Sequence, residues 1–150
     1  MRRSGLIAWL LALIFCFCAK PDDQAIREQI SLMEKDAEAG NWESFRGHIS
    51  RHYKDDSGNN YFIITQMIKN YVAGVEGLEA EVEIMGVSIS GDEAKAQIKL
   101  IAIGKKQGKI YYLVGREDLP EYPRLWFAKE GRHWRLSKVD GIQGSEESPW

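Results

Sequence analysis

Cysteine is scarce in this chain of 150 residues, and both cysteines lie close to its start, at Cys16 and Cys18. The chain beyond position 18 has no cysteine, which excludes a disulfide framework and a thiol nucleophile from that part. A domain without disulfides depends on its hydrophobic core. About 130 residues remain after the first segment, and that length is enough to bury one core in one domain.

Positive charge is also limited. The chain has 20 Lys and Arg residues against 22 Asp and Glu. Two of the basic residues are Arg2 and Arg3, so the rest of the chain is mildly acidic, with a formal net charge of −4. Neutralising a phosphate backbone requires a concentrated basic face, which this chain lacks, and we therefore expect no nucleic-acid partner.

Motifs for the common catalytic chemistries are absent as well. No G-x-S-x-G elbow, P-loop or dinucleotide fingerprint occurs. His48 and His52 are four residues apart, but no H-E-x-x-H sequence surrounds them, and His133 is far along the chain. We therefore expect no metal and no cofactor, and we assign no catalytic residue.

One long apolar run is present, from Gly5 to Ala19, directly after Arg2 and Arg3. A positive start, an apolar stretch and small residues before Lys20 are the order of a secretory signal, and the run is several residues shorter than the roughly 20 that span a membrane. Residues 1–19 are therefore predicted to be a signal segment. We expect the protein to be exported, to the periplasm or the cell envelope.

The two cysteines lie at the end of this run, a placement that resembles the cleavage region of a bacterial lipoprotein precursor. The resemblance implies a lipid on Cys16 or Cys18, which would anchor the protein to a membrane. The alternative is ordinary signal cleavage after Cys18 or Ala19, because both cysteines are small enough for an A-x-A-like site.

Three helices are predicted after the signal segment. The first begins at Asp22 or Asp23 and ends at Gly40, and its apolar residues recur at helical spacing: Ile26, Ile30, Met33 and Ala37. Asn41 is predicted to cap a second helix. Asn59 or Asn60 is predicted to cap a third, whose apolar residues are Ile64, Met67, Ile68, Tyr71, Val72 and Val75.

After Gly77 the apolar period changes from 3.6 to 2, which predicts strands. The alternation slips at Met85-Gly86, as a bulge would make it, and Ser90-Gly91-Asp92 predicts a tight turn into the facing strand. Further strands are predicted at 110–115, 124–129 and 133–139. The predicted fold is α+β: three N-terminal helices packed on a curved antiparallel sheet of four to five strands, over residues 20–142, followed by a polar tail, 143–150.

Two stretches carry a family resemblance: LMEKDAEAGNWESFRGHISRHYKDDSG at the front and LWFAKEGRHWRLSKVDGI at the back. The first matches two helices and a Tyr-x-Asp turn, the second a closing hairpin that ends in Trp-x-Leu. With this order of elements, the chain from about Asp22 to Ile142 resembles the nuclear transport factor 2-like superfamily, which includes SnoaL-type cyclases, ketosteroid isomerases, dehydratases and transport adaptors. The resemblance implies a cystatin-like cone with one open mouth, and it does not choose among these functions.

The expected site is a cavity between the first helix, the third helix and the concave face of the sheet. Tyr53, Asp55, Tyr71 and Trp126 are the candidates for its rim or wall. The expected function is non-catalytic binding of a small apolar ligand or a protein partner. One alternative is an isomerase or cyclase-type enzyme with Asp55 or His52 as base; another is a structural module that forms a homodimer through its sheet.

The acidic pair Asp55 and Asp56 has a second interpretation. Both residues lie in the turn-rich segment 54–60, where aspartate side chains commonly accept hydrogen bonds from nearby backbone amides. A structural role in that turn is the favoured reading. Two polar groups converging on one point of the cavity would instead favour the enzyme.

Overall fold

The structure, a computed structural model, describes residues 21–143. Its helices are α1 (Asp22–Glu38), α2 (Trp42–Gly47) and α3 (Tyr61–Ala73). Its strands are β1 (Gly77–Ser90), β2 (Glu93–Lys106), β3 (Lys109–Val114), β4 (Arg124–Glu130) and β5 (His133–Asp140). The predicted α+β class with one antiparallel sheet is therefore confirmed.

The predicted signal segment with Cys16 and Cys18, and the tail from residue 144, lie outside the described residues. Among the helices between residues 21 and 143, none combines the length and the apolar character needed to cross a bilayer.

Helix α1 supplies the helical side of the core. Its first turn contains Asp22 and Asp23, whose charges are favourable at a helix N-terminus, and the chain leaves the helix at Gly40 with a φ of 65°. Of the predicted stripe, Ile26, Ile30 and Met33 are buried and Ala37 is half-buried.

The sheet has the strand order β1-β2-β4-β5, and β3 also pairs with β2. All of these pairs are antiparallel. The predicted bulge is present, since the register of β1 on β2 shifts between Ile84 and Gly86, and the predicted tight turn joins the two strands at Gly91, with a φ of 60°. Bulges bend a strand and increase its local twist.

The core lies where α1 meets the middle of the sheet. The inward side chains of β2, β4 and β5 share it with the stripe of α1, and they are Ala94, Ala96, Ile98, Leu125, Phe127, Trp134 and Leu136. Ala94 and Ala96 of β2, Phe127 of β4 and Trp134 of β5 are all buried there, and α1 lies alongside β1, where Glu38 Oε1 accepts a hydrogen bond from the Ala80 amide at 2.9 Å.

Helix α2 is a single short segment of six residues, so only two of the three helices are long. It buries none of its residues, and the predicted cap is wrong: Asn41 precedes the helix but makes no side-chain capping bond. Its amide instead donates to Asp36 Oδ1 at 3.3 Å. The amide nitrogen of Asn41 thus links the start of α2 to α1, and its oxygen does not cap the helix.

Helix α3 begins as predicted and packs loosely. Asn60 accepts hydrogen bonds from the backbone amides of Phe62 and Ile63, which caps the helix. Within α3 only Tyr61 and Thr65 are buried. Ile64 and Ile68 are half-buried against the core. The rest of the inner face of α3 therefore stands over a space that the core does not fill.

Candidate functional site

The space beneath α3 is a cavity of about 390 Å³. It lies between this helix and the half of the sheet formed by β1, β2 and β3, and it is closed at one side by the segment after β5. Its lining residues are Ile64, Met67, Ile68, Tyr71, Val72, Leu78, Ala102, Leu113, Val114, Ile142 and Gln143.

The cavity differs in one respect from the predicted one, because α1 contributes no lining residue. The inward side chains of α1, Ile26, Ile30 and Met33, are packed in the core with side chains of β1, β2, β4 and β5. The two long helices therefore divide the concave face of the sheet, with α1 filling one half and α3 covering an open half.

The lining is almost entirely apolar. Among residues 21–143, the polar side-chain groups that line it are the Tyr71 hydroxyl and the Gln143 amide, and no carboxylate, imidazole or amine of this part of the chain lines it. General acid–base catalysis requires a titratable group, tuned near the working pH, within hydrogen-bond reach of the reacting atom. The described lining thus offers surface for an apolar molecule.

Gly104 on β2 sets how closely the end of α3 approaches the sheet. A Cβ atom at this position would lie 2.8 Å from Val75 Cβ and closer still to one of the Val75 methyl groups. Only glycine therefore lets the connection between α3 and β1 rest on the strand. Its neighbour on the inward side of β2, Ala102, lines the cavity.

Two of the predicted site residues, Tyr53 and Asp55, form a structural turn away from the cavity. Asp55 accepts hydrogen bonds from the backbone amides of Ser57 (3.0 Å) and Asn59 (2.9 Å), the Asn59 amide group (2.9 Å) and the Tyr53 hydroxyl (3.1 Å). Neither residue is among those that line the cavity. These contacts agree with the interpretation in which Asp55 stabilises the turn 54–60.

The ionisation of this pair follows from the same contacts. Burial by itself would raise the pKa of Asp55, but the hydrogen bonds from Asn59, Tyr53 and Ser57 outweigh it and hold the pKa below its ordinary value. Burial, followed by the charge of Asp55 and their hydrogen bond, raises the pKa of the Tyr53 phenol well above its usual range. The pair is therefore a carboxylate and a neutral phenol at neutral pH.

The other two candidates are separated by the sheet. Tyr71 lines the cavity. Trp126 lies between the buried Leu125 and Phe127, so strand alternation puts its ring on the outer face. There Lys95 Nζ and Lys138 Nζ are 5.1 and 5.9 Å from the ring centroid. The structure therefore does not bring Tyr53, Asp55, Tyr71 and Trp126 together, and whether any of them binds a ligand stays a prediction.

The histidines also lie apart from the cavity. His48 joins α1 to α2, with its Nε2 2.8 Å from Asp36 Oδ2 and its Nδ1 2.7 Å from the Gln29 amide nitrogen. His52 and His133 are exposed. Within residues 21–143 no group of three or more His, Cys, Asp or Glu side chains is arranged to hold a metal ion.

Sequence reasoning misses the part of the lining that β3 provides. Ala102 pairs with Val114 and Ile103 with Tyr112, so Leu113 is an extra residue in β3, and both Leu113 and Val114 face the cavity. The one available signal is the sequence of the end of β2, which is apolar on both faces at Ile101 and Ile103.

Comparison with known proteins establishes the fold of this chain. No family model matches the sequence, and no curated protein matches it significantly. Among solved structures, a cystatin-like protein of the nuclear transport factor 2-like group from Novosphingobium aromaticivorans has a TM-score of 0.60 at 18% identity, over 98% of this chain and 94% of that one. A second protein from the same organism bears the name of a scytalone dehydratase. It has a TM-score of 0.65 at 12% identity, and the match covers 81% of this chain and 83% of that one.

A third similar structure, from Bdellovibrio bacteriovorus, is a longer protein. It has a TM-score of 0.63 at 11% identity, and the match covers 82% of this chain but only 41% of that one. Because all three identities are low, these likenesses establish the fold alone. This chain has the nuclear transport factor 2-like, cystatin-like fold that the two sequence stretches predict.

Proposed function

We propose that this domain of the nuclear transport factor 2-like fold binds a small apolar molecule, without chemical conversion, in the cavity beneath α3. The observation that carries the proposal is the lining, which is apolar except for the Tyr71 hydroxyl and the Gln143 amide. A volume of about 390 Å³ lies within the usual range for small-molecule sites, about 300 to 1,000 Å³.

The loose packing of α3 supports this site. Burying apolar surface contributes about 25 cal/mol per Å². A molecule under the helix would cover side chains that the protein leaves partly open, among them Ile64, Ile68 and Val72. The ligand would therefore complete the packing of α3 on β2 and β3, as the stripe of α1 completes the other half of the sheet.

A dehydratase or isomerase function has less support. Two similar structures are named as dehydratases. In this chain, however, the candidate base Asp55 is engaged in its own turn, and neither it nor His52 lines the cavity. A lining to which residues 21–143 contribute no carboxylate and no imidazole favours binding over acid–base catalysis.

A pair of isoleucines on α3 provides a matched test. Ile68 lines the cavity, whereas Ile63, on the same helix, is 43% exposed and does not. We expect Ile68→Trp to fill the space and weaken binding of a neutral fluorescent naphthylamine probe at least ten-fold, and Ile63→Trp to leave it unchanged. Equal probe affinity in the two variants would contradict the proposal.

We also propose that the domain works outside the cytoplasm, which rests on the sequence of residues 1–19. The test is the intact mass of the protein recovered from the cell envelope. A chain that begins at Cys16 or Cys18 with an added lipid mass would support an anchor, and an unmodified chain that begins at Ala19 or Lys20 would support simple export. Recovery of the full-length chain from the cytoplasm would contradict both.

A further inference from the structure

A second concave surface lies between α2, the segment 48–51 and the outward side of α3. It consists of two adjoining pockets of about 340 and 590 Å³. Arg46, Arg51 and Tyr61 line both of them, and the larger pocket continues over Phe62, Ile63 and Met67. We call this surface, defined by these six residues, the arginine groove.

The polar end of the arginine groove has one unsatisfied positive charge. Arg46 is paired with Glu43 at 2.5 Å, and the nearby Arg135 is paired with Glu130 at 3.2 Å. Arg51 forms no ion pair with any carboxylate between residues 21 and 143; its guanidinium carbon lies 4.3 Å from the centre of the Tyr61 ring. A guanidinium stacked on an aromatic ring keeps its N–H donors available for an anion.

Backbone hydrogen bonds hold this end of the groove in position. The Leu136 amide donates to His48 O at 2.9 Å, and the Ser50 amide donates to Leu136 O at 2.8 Å, so residues 48–50 lie along β5. Arg51 follows directly. Its backbone is therefore fixed by the sheet, and little ordering of the chain is required when a ligand binds.

The other end of the groove is apolar and open. Phe62 is 75% exposed and Met67 45% exposed, and with Ile63 they form an apolar surface on consecutive turns of α3. Thr65, Gln66 and Asn70 also line the larger pocket, and no Asp or Glu among residues 21–143 does. The groove thus joins an arginine without an ion pair to an uncharged surface that is apolar at Phe62, Ile63 and Met67.

We propose that the arginine groove binds a single-chain amphiphile with a carboxylate head, such as a medium-chain fatty acid. The head would pair with Arg51, and the chain would lie over Phe62, Ile63 and Met67. One uncompensated cation matches a head of one negative charge better than a doubly charged phosphate. The groove lies on the outward side of α3 and shares Met67 with the cavity on the inner face of that helix. The proposal depends on Arg51, which does not line the cavity, so the two proposals are tested separately.

Calorimetric titration of the purified protein with dodecanoate, below its micelle concentration, tests the proposal. We expect Arg51→Gln to weaken binding about ten-fold, the loss of one charge-assisted contact at a partly exposed site. Arg51→Lys should retain part of the affinity. Lys69→Gln, which removes an exposed cation of α3 outside the groove, is the matched control and should change nothing.

Three comparisons separate the proposed occupant from others. Dodecanol should bind more weakly than dodecanoate because it lacks the charge, and acetate should show no measurable binding because it lacks the chain. Ile68→Trp should leave dodecanoate affinity unchanged. Loss of affinity in Ile68→Trp, equal affinity in Arg51→Gln, or binding to anionic lipid vesicles without binding to dodecanoate would each overturn the proposal.

Discussion

At the residue scale, the carboxylate of Asp22 ties the start of α1 to the closing hairpin. Its Oδ1 accepts hydrogen bonds from Lys129 Nζ at 2.9 Å and from Trp134 Nε1 at 3.1 Å. The hydrogen bond from Lys129, followed by that from Trp134, lowers the pKa of Asp22. The Asp22 side chain thus links the start of α1 to β4 and β5.

The turn around Asp55 provides a residue-scale prediction. Asp55→Ala removes four hydrogen bonds and leaves the buried Tyr53 hydroxyl without its carboxylate partner. We expect the free energy of unfolding, measured by urea denaturation, to fall by about 1–3 kcal/mol. Binding of the neutral probe to the folded protein should not change, because Asp55 lies outside the cavity.

The adjacent aspartate is the control for this prediction. Asp56 is 79% exposed in its side chain and forms one ion pair, with Lys138 at 2.7 Å. Surface ion pairs contribute about 0–1 kcal/mol, so Asp56→Ala should be nearly neutral. A catalytic or ligand-binding role for Asp55 would be indicated instead if Asp55→Ala abolished probe binding while leaving stability unchanged.

Local chemistry explains which residue-scale predictions succeed. Asn60 caps α3 as expected, since its side-chain oxygen accepts hydrogen bonds from the amides of Phe62 and Ile63. The side chain of Asn41 makes no capping bond to α2, and its amide nitrogen donates to Asp36 on the preceding helix. That contact depends on where two helices meet, and a sequence pattern within one helix does not contain that information.

At the element scale, the contact of Gly104 with Val75 determines how α3 sits over the sheet. Gly104→Ala would place a methyl group against the Val75 side chain, and we expect a loss of about 1–3 kcal/mol in the free energy of unfolding. Probe affinity should also change, because displacing residues 74–76 moves the end of α3 over the cavity.

Gly86 in β1 is the matched control. It is also a strand glycine, it does not have a positive φ, and no heavy atom would lie within 4 Å of an added Cβ. Gly86→Ala should therefore be neutral or slightly stabilising in the same urea experiment. Similar losses in the two variants would mean that the approach of α3 is not set at Gly104.

The helices and strands are largely predictable from the sequence, whereas the candidate site is less so. The spacing of apolar residues identifies α1, α3 and β1, and the break in their alternation at Met85-Gly86 identifies the bulge. Which half of the sheet α1 covers depends on contacts between distant segments, so sequence reasoning placed α1 in the wall of the cavity. Alternation did contain one usable signal: with Leu125 and Phe127 in the core, Trp126 has to face outward.

At the scale of the whole molecule, acid should destabilise the fold in a defined range. The pKa of Asp22 and Asp55 is lowered by the hydrogen bonds described above, and that of Asp36 by hydrogen bonds from Ser44 and then His48. A lowered carboxyl pKa contributes stability that is present above the unfolded value, about 3.9, and is lost as pH falls through the folded value.

We therefore expect the urea midpoint to drop steeply below about pH 4. Asp36→Asn should flatten that drop because one of the three linked groups is removed. Glu34 acts in the opposite direction, since burial and then the charge of Glu38 raise its pKa. Protonating Glu34 favours the folded state, so Glu34→Gln should raise the urea midpoint at neutral pH; a lower midpoint would contradict this reading.

Side chains of α1 fill one part of the concave face of the sheet, and the part under α3 is open. A methyl NMR titration with the neutral naphthylamine probe shows where a ligand binds, because it reports the position of the ligand residue by residue. We predict that the methyl signals of Ile64, Ile68, Leu113 and Val114 shift together and saturate, while those of Ile26 and Ile30 in the core do not move. Shifts confined to the outer face of the sheet, or no saturable shift in the four cavity residues, would contradict the account.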